Sequence, residues 1–220
     1  MVSTSTGSIT HTRVCLAQPL DFQRFDQSAD RRENQKGTER SMPSGRNNNL
    51  MRQVGEHLVC AELGRRGFTA TPFSGNVPTF DVIATDNQCR TVPIQVKASS
   101  GSNWRADARD WMNLQLDPES GVQHYEGPTK IDNPNLIYVC VSVAPADCSI
   151  GKDRFFVLTK FDLQTACIQH YEAWMIPHGW KRPKKPDCYE CRYGIKEIVQ
   201  HENSWQLIKD RLAASPPDVF

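Results

Sequence analysis

The run Leu136-Ile-Tyr-Val-Cys-Val-Ser-Val143 is continuous, apolar and uncharged. It shows no alternation of apolar and polar residues, the pattern of a strand buried on both faces. A strand of that kind belongs inside an α/β domain, with layers of chain packed over both sides of its sheet. Two further β-rich runs precede it, Thr79-Phe-Asp-Val-Ile-Ala84 and Thr91-Val-Pro-Ile-Gln-Val-Lys97. Between them Thr85-Asp-Asn-Gln-Cys-Arg90 carries turn chemistry, so a hairpin is the economical reading.

Upstream, Leu50, Val54, Leu58 and Ala61, with Val59 and Leu63 beside them, recur at three- and four-residue spacing. That spacing predicts an amphipathic helix from Leu50 to about Arg66, stopped by Gly67. Phe68-Thr-Ala-Thr-Pro-Phe73 reads as a short strand, and Ser74-Gly-Asn76 as a turn. Residues 99–135 carry mixed charge and scattered Gly and Pro, which predicts short strands and loops. Arg154-Phe-Phe-Val-Leu-Thr159 is another strand, residues 160–174 are helical in pattern, and Ile195 to Leu212 holds a strand and a closing helix. Residues 1–47 are rich in Ser, Thr, Gln, Asn and Arg without either period, so they are expected to form a disordered tail before a domain over 48–215.

Composition narrows the function classes. Of 220 residues, 38% are hydrophobic, enough for a sizeable core. No stretch reaches the roughly 18 apolar residues of a membrane helix. Met1-Val-Ser-Thr-Ser-Thr-Gly-Ser lacks the basic and apolar regions of a secretory signal, so the expectation is a soluble, cytoplasmic protein. In that setting eight cysteines read as thiols or a metal site and not as a disulfide framework. The formal charge is +1, so any nucleic-acid role must rest on a local basic face. Phosphate-loop, dinucleotide, zincin and nucleophile-elbow motifs do not occur.

Four residues stand out by placement: Glu56, Asp81, Gln95 and Lys97. If the hairpin turns near residues 87–88, Asp81 lies opposite Gln95. Gln95 and Lys97 are two apart and share a strand face. Glu56, on the helix, can complete the group. Carboxylate and carbonyl oxygens suit a hard divalent cation that keeps several waters, and a neighbouring Lys can orient a metal-polarised water toward a phosphodiester.

Gly55-Glu56 on a helix that ends in Gly, then Phe80-Asp81 on a strand, then Ile94-Gln95-Val96-Lys97, resembles the PD-(D/E)XK nucleases. The resemblance spans residues 50–160, is clearest over 52–100, and lies nearest the Holliday-junction resolvase-like and intron-associated endonuclease branches. It implies a restriction-endonuclease-like αβββαβ core, a mixed central sheet flanked by helices, and Mg²⁺- or Mn²⁺-dependent hydrolysis of DNA. It further implies Asp81 as metal ligand, Gln95 in the second acidic position with the Val96 carbonyl, Lys97 as the motif lysine and Glu56 as the helix carboxylate. A homodimer would let two such centres cut both strands. Two departures mark this chain. The proline expected just before Asp81 stands at Pro78, and Gln95 replaces a carboxylate, which removes a charge. The alternative is a catalytically degenerate member that binds nucleic acid or protein.

Two other patterns carry chemistry. Cys167-Ile-Gln-His170 and Cys188-Tyr-Glu-Cys191 have zinc-like internal spacing, but the helical pattern around Cys167 favours separate thiols over structural zinc. Lys181-Arg182-Pro183-Lys184-Lys185, beside Trp180, is a candidate phosphate contact together with Arg65, Arg66 and Arg105. Trp104, Trp111, Trp174 and Trp205 read as core.

Overall fold

The computed structural model describes residues 44–73, 79–145 and 151–214. The expected tail and the Ser74-Gly-Asn76 turn lie outside them, except that the last four tail residues open the first helix. That helix, α1, runs Ser44–Arg65, six residues earlier than its apolar spacing begins. Gly67 stops it at φ 85°, where Phe68 N–H donates to the Leu63 carbonyl.

Strands β1 (Thr69–Pro72), β2 (Val82–Thr85) and β3 (Thr91–Ser99) follow. After them come β4 (Asn103–Asp107), β5 (Met112–Leu116), β6 (Gln123–Pro128), β7 (Ile137–Ser142) and β8 (Arg154–Thr159). Helix α2 (Lys160–Met175), strand β9 (Glu190–Gly194), the single turn α3 (Ile195–Ile198) and helix α4 (Gln206–Ala214) follow among the described residues.

The central sheet is ordered β1-β2-β3-β7-β8, with β3 and β7 parallel and the other pairs antiparallel. It is a mixed sheet flanked by helices, the architecture expected from the resemblance. The hairpin forms: Val82 pairs with Ile94 and Thr85 with Thr91, and Asp86 closes the turn by accepting from Gln88 and Arg90 N–H.

β7 explains the apolar run. Ile137, Val139 and Val141 face one core with Val59 and Leu63 of α1 and Ile208 and Leu212 of α4. Tyr138 and Cys140 face the other, with Phe156, Leu158 and the Leu163, Ala166 and Tyr171 side of α2. Both cores exclude water, and burial of apolar area on both sides is what holds the middle strand.

The parallel crossover from β3 to β7 has its own cover. β4 pairs with β9, β5 pairs with β6, and Trp104, Ala108, Trp111 and Met112 from this segment cap the second core. The helix on this face, α2, follows β8. A Thr159–Asp162 capping box starts it, satisfying two N-terminal donors at once.

The buried stripe of α1 differs from the one its spacing suggests. Leu50 is 51% exposed, while Gly55, Glu56, Val59 and Leu63 are buried. A stripe holding a Gly and a Glu does not read as apolar, yet a helix can come closest to a sheet where a side chain is missing. An ideal Cβ on Gly55 would sit 2.4 Å from the Ala98 Cβ of β3.

Candidate functional site

Gly55 brings α1 down onto β3, and the next residue is Glu56. Val92, Ile94 and Val96 point from β3 into the α1 core. Strand alternation therefore turns Gln95 and Lys97 to the opposite face. Asp81 lies one residue before β2 and falls opposite Gln95 by continuation of the Val82–Ile94 register.

The expected contact is present. Gln95 Nε2 donates to Asp81 Oδ2, and the same oxygen accepts the Val96 N–H at 2.8 Å. Two donors thus hold a carboxylate that is only 9% exposed. The amide nitrogen, not the oxygen, faces Asp81, so a ligand role for Gln95 needs its amide turned over. The Val96 group at Asp81 is its N–H, while the ligand expected from this residue is its carbonyl.

Glu56 joins the group through a residue the sequence reading did not single out. Arg52 Nη1 lies 3.3 Å from Glu56 Oε1 and 3.9 Å from Asp81 Oδ1, spanning both carboxylates. The i, i+4 spacing of Arg52 and Glu56 on a helix was the available signal. Its second contact, to Asp81, depends on the fold.

Burial raises the Glu56 carboxyl above its usual range; Arg52 opposes this and Asp81 adds to it. A raised acid binds more protons in the folded state than in the unfolded one. Stability from this group is therefore full below the unfolded value of 4.5 and falls as pH rises through the raised folded value. Glu56→Gln is expected to flatten that decline, measured as the thermal midpoint against pH from 4 to 8 beside wild type.

Lys97 stands exposed on the Gln95 face. Among the described residues it has no salt-bridge or hydrogen-bond partner. Gln95, Val96 and Lys97 line a groove of 1650 Å³ whose cations are Arg52, Lys97, Arg105 and Arg192, against one carboxylate, Asp153. Ser99, Ser100, Gly101 and Ser102 form part of its wall. Arg192 joins the groove through β9, a placement without a sequence signal.

The other expected phosphate contacts lie elsewhere. Arg65 and Arg66 both bond Glu62, and Arg66 also sits 4.4 Å over the Trp205 ring, in the helix layer of α4. Arg182 stacks 4.7 Å from Trp174 and donates to the Glu190 carbonyl, so its charge is occupied in holding a loop. Lys181, Lys184 and Lys185 are exposed and do not line the groove. Trp180 stacks on Tyr125 at 5.8 Å.

Two of the zinc-like residues meet in the second core, and the other two have partners of their own. Cys191 Sγ donates to the Cys167 carbonyl at 3.5 Å, in the second core. Cys188 faces Arg182, and His170 lies 3.4 Å from Glu197. Cys140 sits beside Tyr193, and burial pushes its thiol up to about 12.

The donor set near Asp81 fits a hard divalent cation in kind. Glu56 Oε1 is buried and makes no hydrogen bond; it faces the Arg52 guanidinium at 3.3 Å, which a bound cation would have to displace. No group of three or more His, Cys, Asp or Glu gathers among the described residues. A cation here would draw on two carboxylates, neutral oxygens and water.

The sequence matches no protein-family model and no curated protein. Among solved structures, the chain is similar to a bacterial homing endonuclease. The likeness has 11% identity and a TM-score of 0.39, and it covers 76% of this chain and 96% of the other. No helix among the described residues is long and apolar enough to cross a membrane.

Proposed function

We propose that this protein is a metal-dependent endonuclease that hydrolyses phosphodiester bonds in DNA. The observation that carries the reading is Lys97: a lysine without a carboxylate partner, two residues from the amide that holds Asp81, in a groove lined by four cations. Asp81, Glu56, the Gln95 amide oxygen and the Val96 carbonyl would hold Mg²⁺ or Mn²⁺. A bound cation would supply Lewis acidity at a phosphate oxygen and lower the pKa of its water.

The chain's own groups have distinct tasks. Val96 N–H fixes Asp81 in place. Lys97 Nζ donates to the attacking water or a non-bridging phosphate oxygen, offsetting the charge that develops there. Arg105 offers the strand backbone a sequence-independent contact, beside Arg192, which is ion-paired with Glu190.

A second reading has an observation of its own. Arg52 already spans both carboxylates and the Gln95 nitrogen already caps Asp81, as a degenerate, non-cleaving nucleic-acid binder would require.

Incubation with supercoiled plasmid and with branched DNA decides between them. Cleavage with Mg²⁺ or Mn²⁺, abolished by EDTA, is expected. Retained binding without cleavage would establish the degenerate reading. Gln95→Glu adds the missing carboxylate and is expected to tighten Mn²⁺ binding about tenfold by calorimetry, as one more charged ligand does at a hard-cation site.

A further inference from the structure

A second cavity, of 250 Å³, shares Lys97 and Arg105 with the groove and adds Lys160, Asp110, Trp111 and Tyr138 in its wall. Three cations face one carboxylate. Arg105 forms no salt bridge among the described residues. Lys160 gives one hydrogen to the Asp132 carbonyl at 3.0 Å, which leaves two.

The neutral wall points the same way. Trp111 is 5% exposed, and its Nε1 is buried without a partner. An indole nitrogen can only donate, so only an acceptor relieves it. Burial, with Asp110 beside it, pushes the Tyr138 phenol up to about 12. Tyr193 completes the polar wall, its hydroxyl lying 3.6 Å from the Cys140 Sγ.

We infer that this cavity binds the phosphate of a phosphomonoester, with its sugar, as an anchor beside the groove. Whole small-molecule pockets run from roughly 300 to 1,000 Å³. A volume of 250 Å³ is too small for a strand passing through, and the larger groove already offers that path. What fits is a phosphate at an end: a free nucleotide or the phosphorylated terminus of a nucleic-acid strand. The inference deepens the nuclease reading through the shared Lys97, and metal-free binding separates the two.

The test is calorimetric titration of the intact protein in EDTA, where cleavage is silent. The probes are thymidine 5′-monophosphate against thymidine, and a 5′-phosphorylated oligothymidylate against its 5′-hydroxyl form. Each phosphorylated probe is expected to bind about tenfold or more tightly than its counterpart, since charge-assisted hydrogen bonds are the strong ones. Lys160→Met, Arg105→Met and Trp111→Phe should each cut that ratio several-fold. Arg105 is exposed, so Arg105→Met should keep the wild-type thermal midpoint and folding does not confuse its result; Lys160 is half-buried, and its variant is read beside its own midpoint. Tighter binding of the oligonucleotide than of the mononucleotide assigns a strand end; equal binding assigns a free ester. Equal affinity for phosphorylated and hydroxyl forms overturns the inference, as does a ratio unchanged in both Lys160→Met and Arg105→Met.

Discussion

Lys97→Ala is expected to lower the rate of DNA cleavage by about 10² to 10³, the usual loss when one preorganised donor to a developing charge is removed. The side chain is exposed and has no bonded partner among the described residues, so stability should stay within about 0.5 kcal/mol of wild type. Loss of activity without loss of fold is the signature sought. Lys97→Arg should not restore the rate, because a planar guanidinium and a compact ammonium place their donors differently.

Asp81→Asn makes the same point from the other side of the site. Its side-chain oxygen can still accept the Val96 N–H, whereas Asp81→Ala would orphan that buried donor at a cost of about 1–3 kcal/mol. The asparagine variant therefore separates lost charge from lost structure. Residues acting as one unit are non-additive, so the double variant Asp81→Asn with Lys97→Ala should be little worse than either single change. Plasmid-nicking rates for the four proteins complete the cycle. Additive losses, or a double variant that cleaves at the wild-type rate, would place the chemistry elsewhere.

Gly55→Ala is expected to destabilise the fold although alanine is the better helix former. The helical gain is about 1 kcal/mol. Against it, the new Cβ would lie 2.4 Å from the Ala98 Cβ, well inside van der Waals contact, and overpacking of this kind costs about 1–3 kcal/mol. The clash wins because β3 lies between β2 and β7 in the central sheet and has little freedom to retreat. Gly55→Val should be worse, since its branches add bulk toward Val96, whose Cγ1 lies 3.4 Å from the ideal Cβ position.

Ala98→Gly supplies the control. It removes the methyl group that the new Cβ would strike, so the pair Gly55→Ala with Ala98→Gly should recover most of the loss. Urea unfolding of the two singles and the double gives the coupling energy directly. A coupling near zero would mean that α1 and β3 are not in close contact at Gly55. Cleavage should also fall in Gly55→Ala, because lifting α1 moves Glu56 and Arg52 away from Asp81.

The local pattern of the chain determined a great deal. The uncharged run at Leu136 to Val143 required cover on both faces, and α1 and α4 on one side with α2 on the other provide it. The turn residues between the two β-rich runs set the hairpin register, and register put Asp81 across from Gln95. These features were legible because a strand period of two and a short turn are properties of neighbouring residues.

Tertiary structure decided the rest. Pairing of β4 with β9 joins residues some ninety positions apart and carries Arg192 to the groove. Helix α1 presents Gly55 and Glu56 inward because the sheet, not the helix, dictates where close approach is possible. Arg52 reaches Asp81 while Arg65 and Arg66 are taken up by Glu62, a division that side-chain type alone does not reveal. Periodicity reports which face of an element is apolar. Which charged groups stay unpaired depends on what each meets across space, and that is a property of the packed chain.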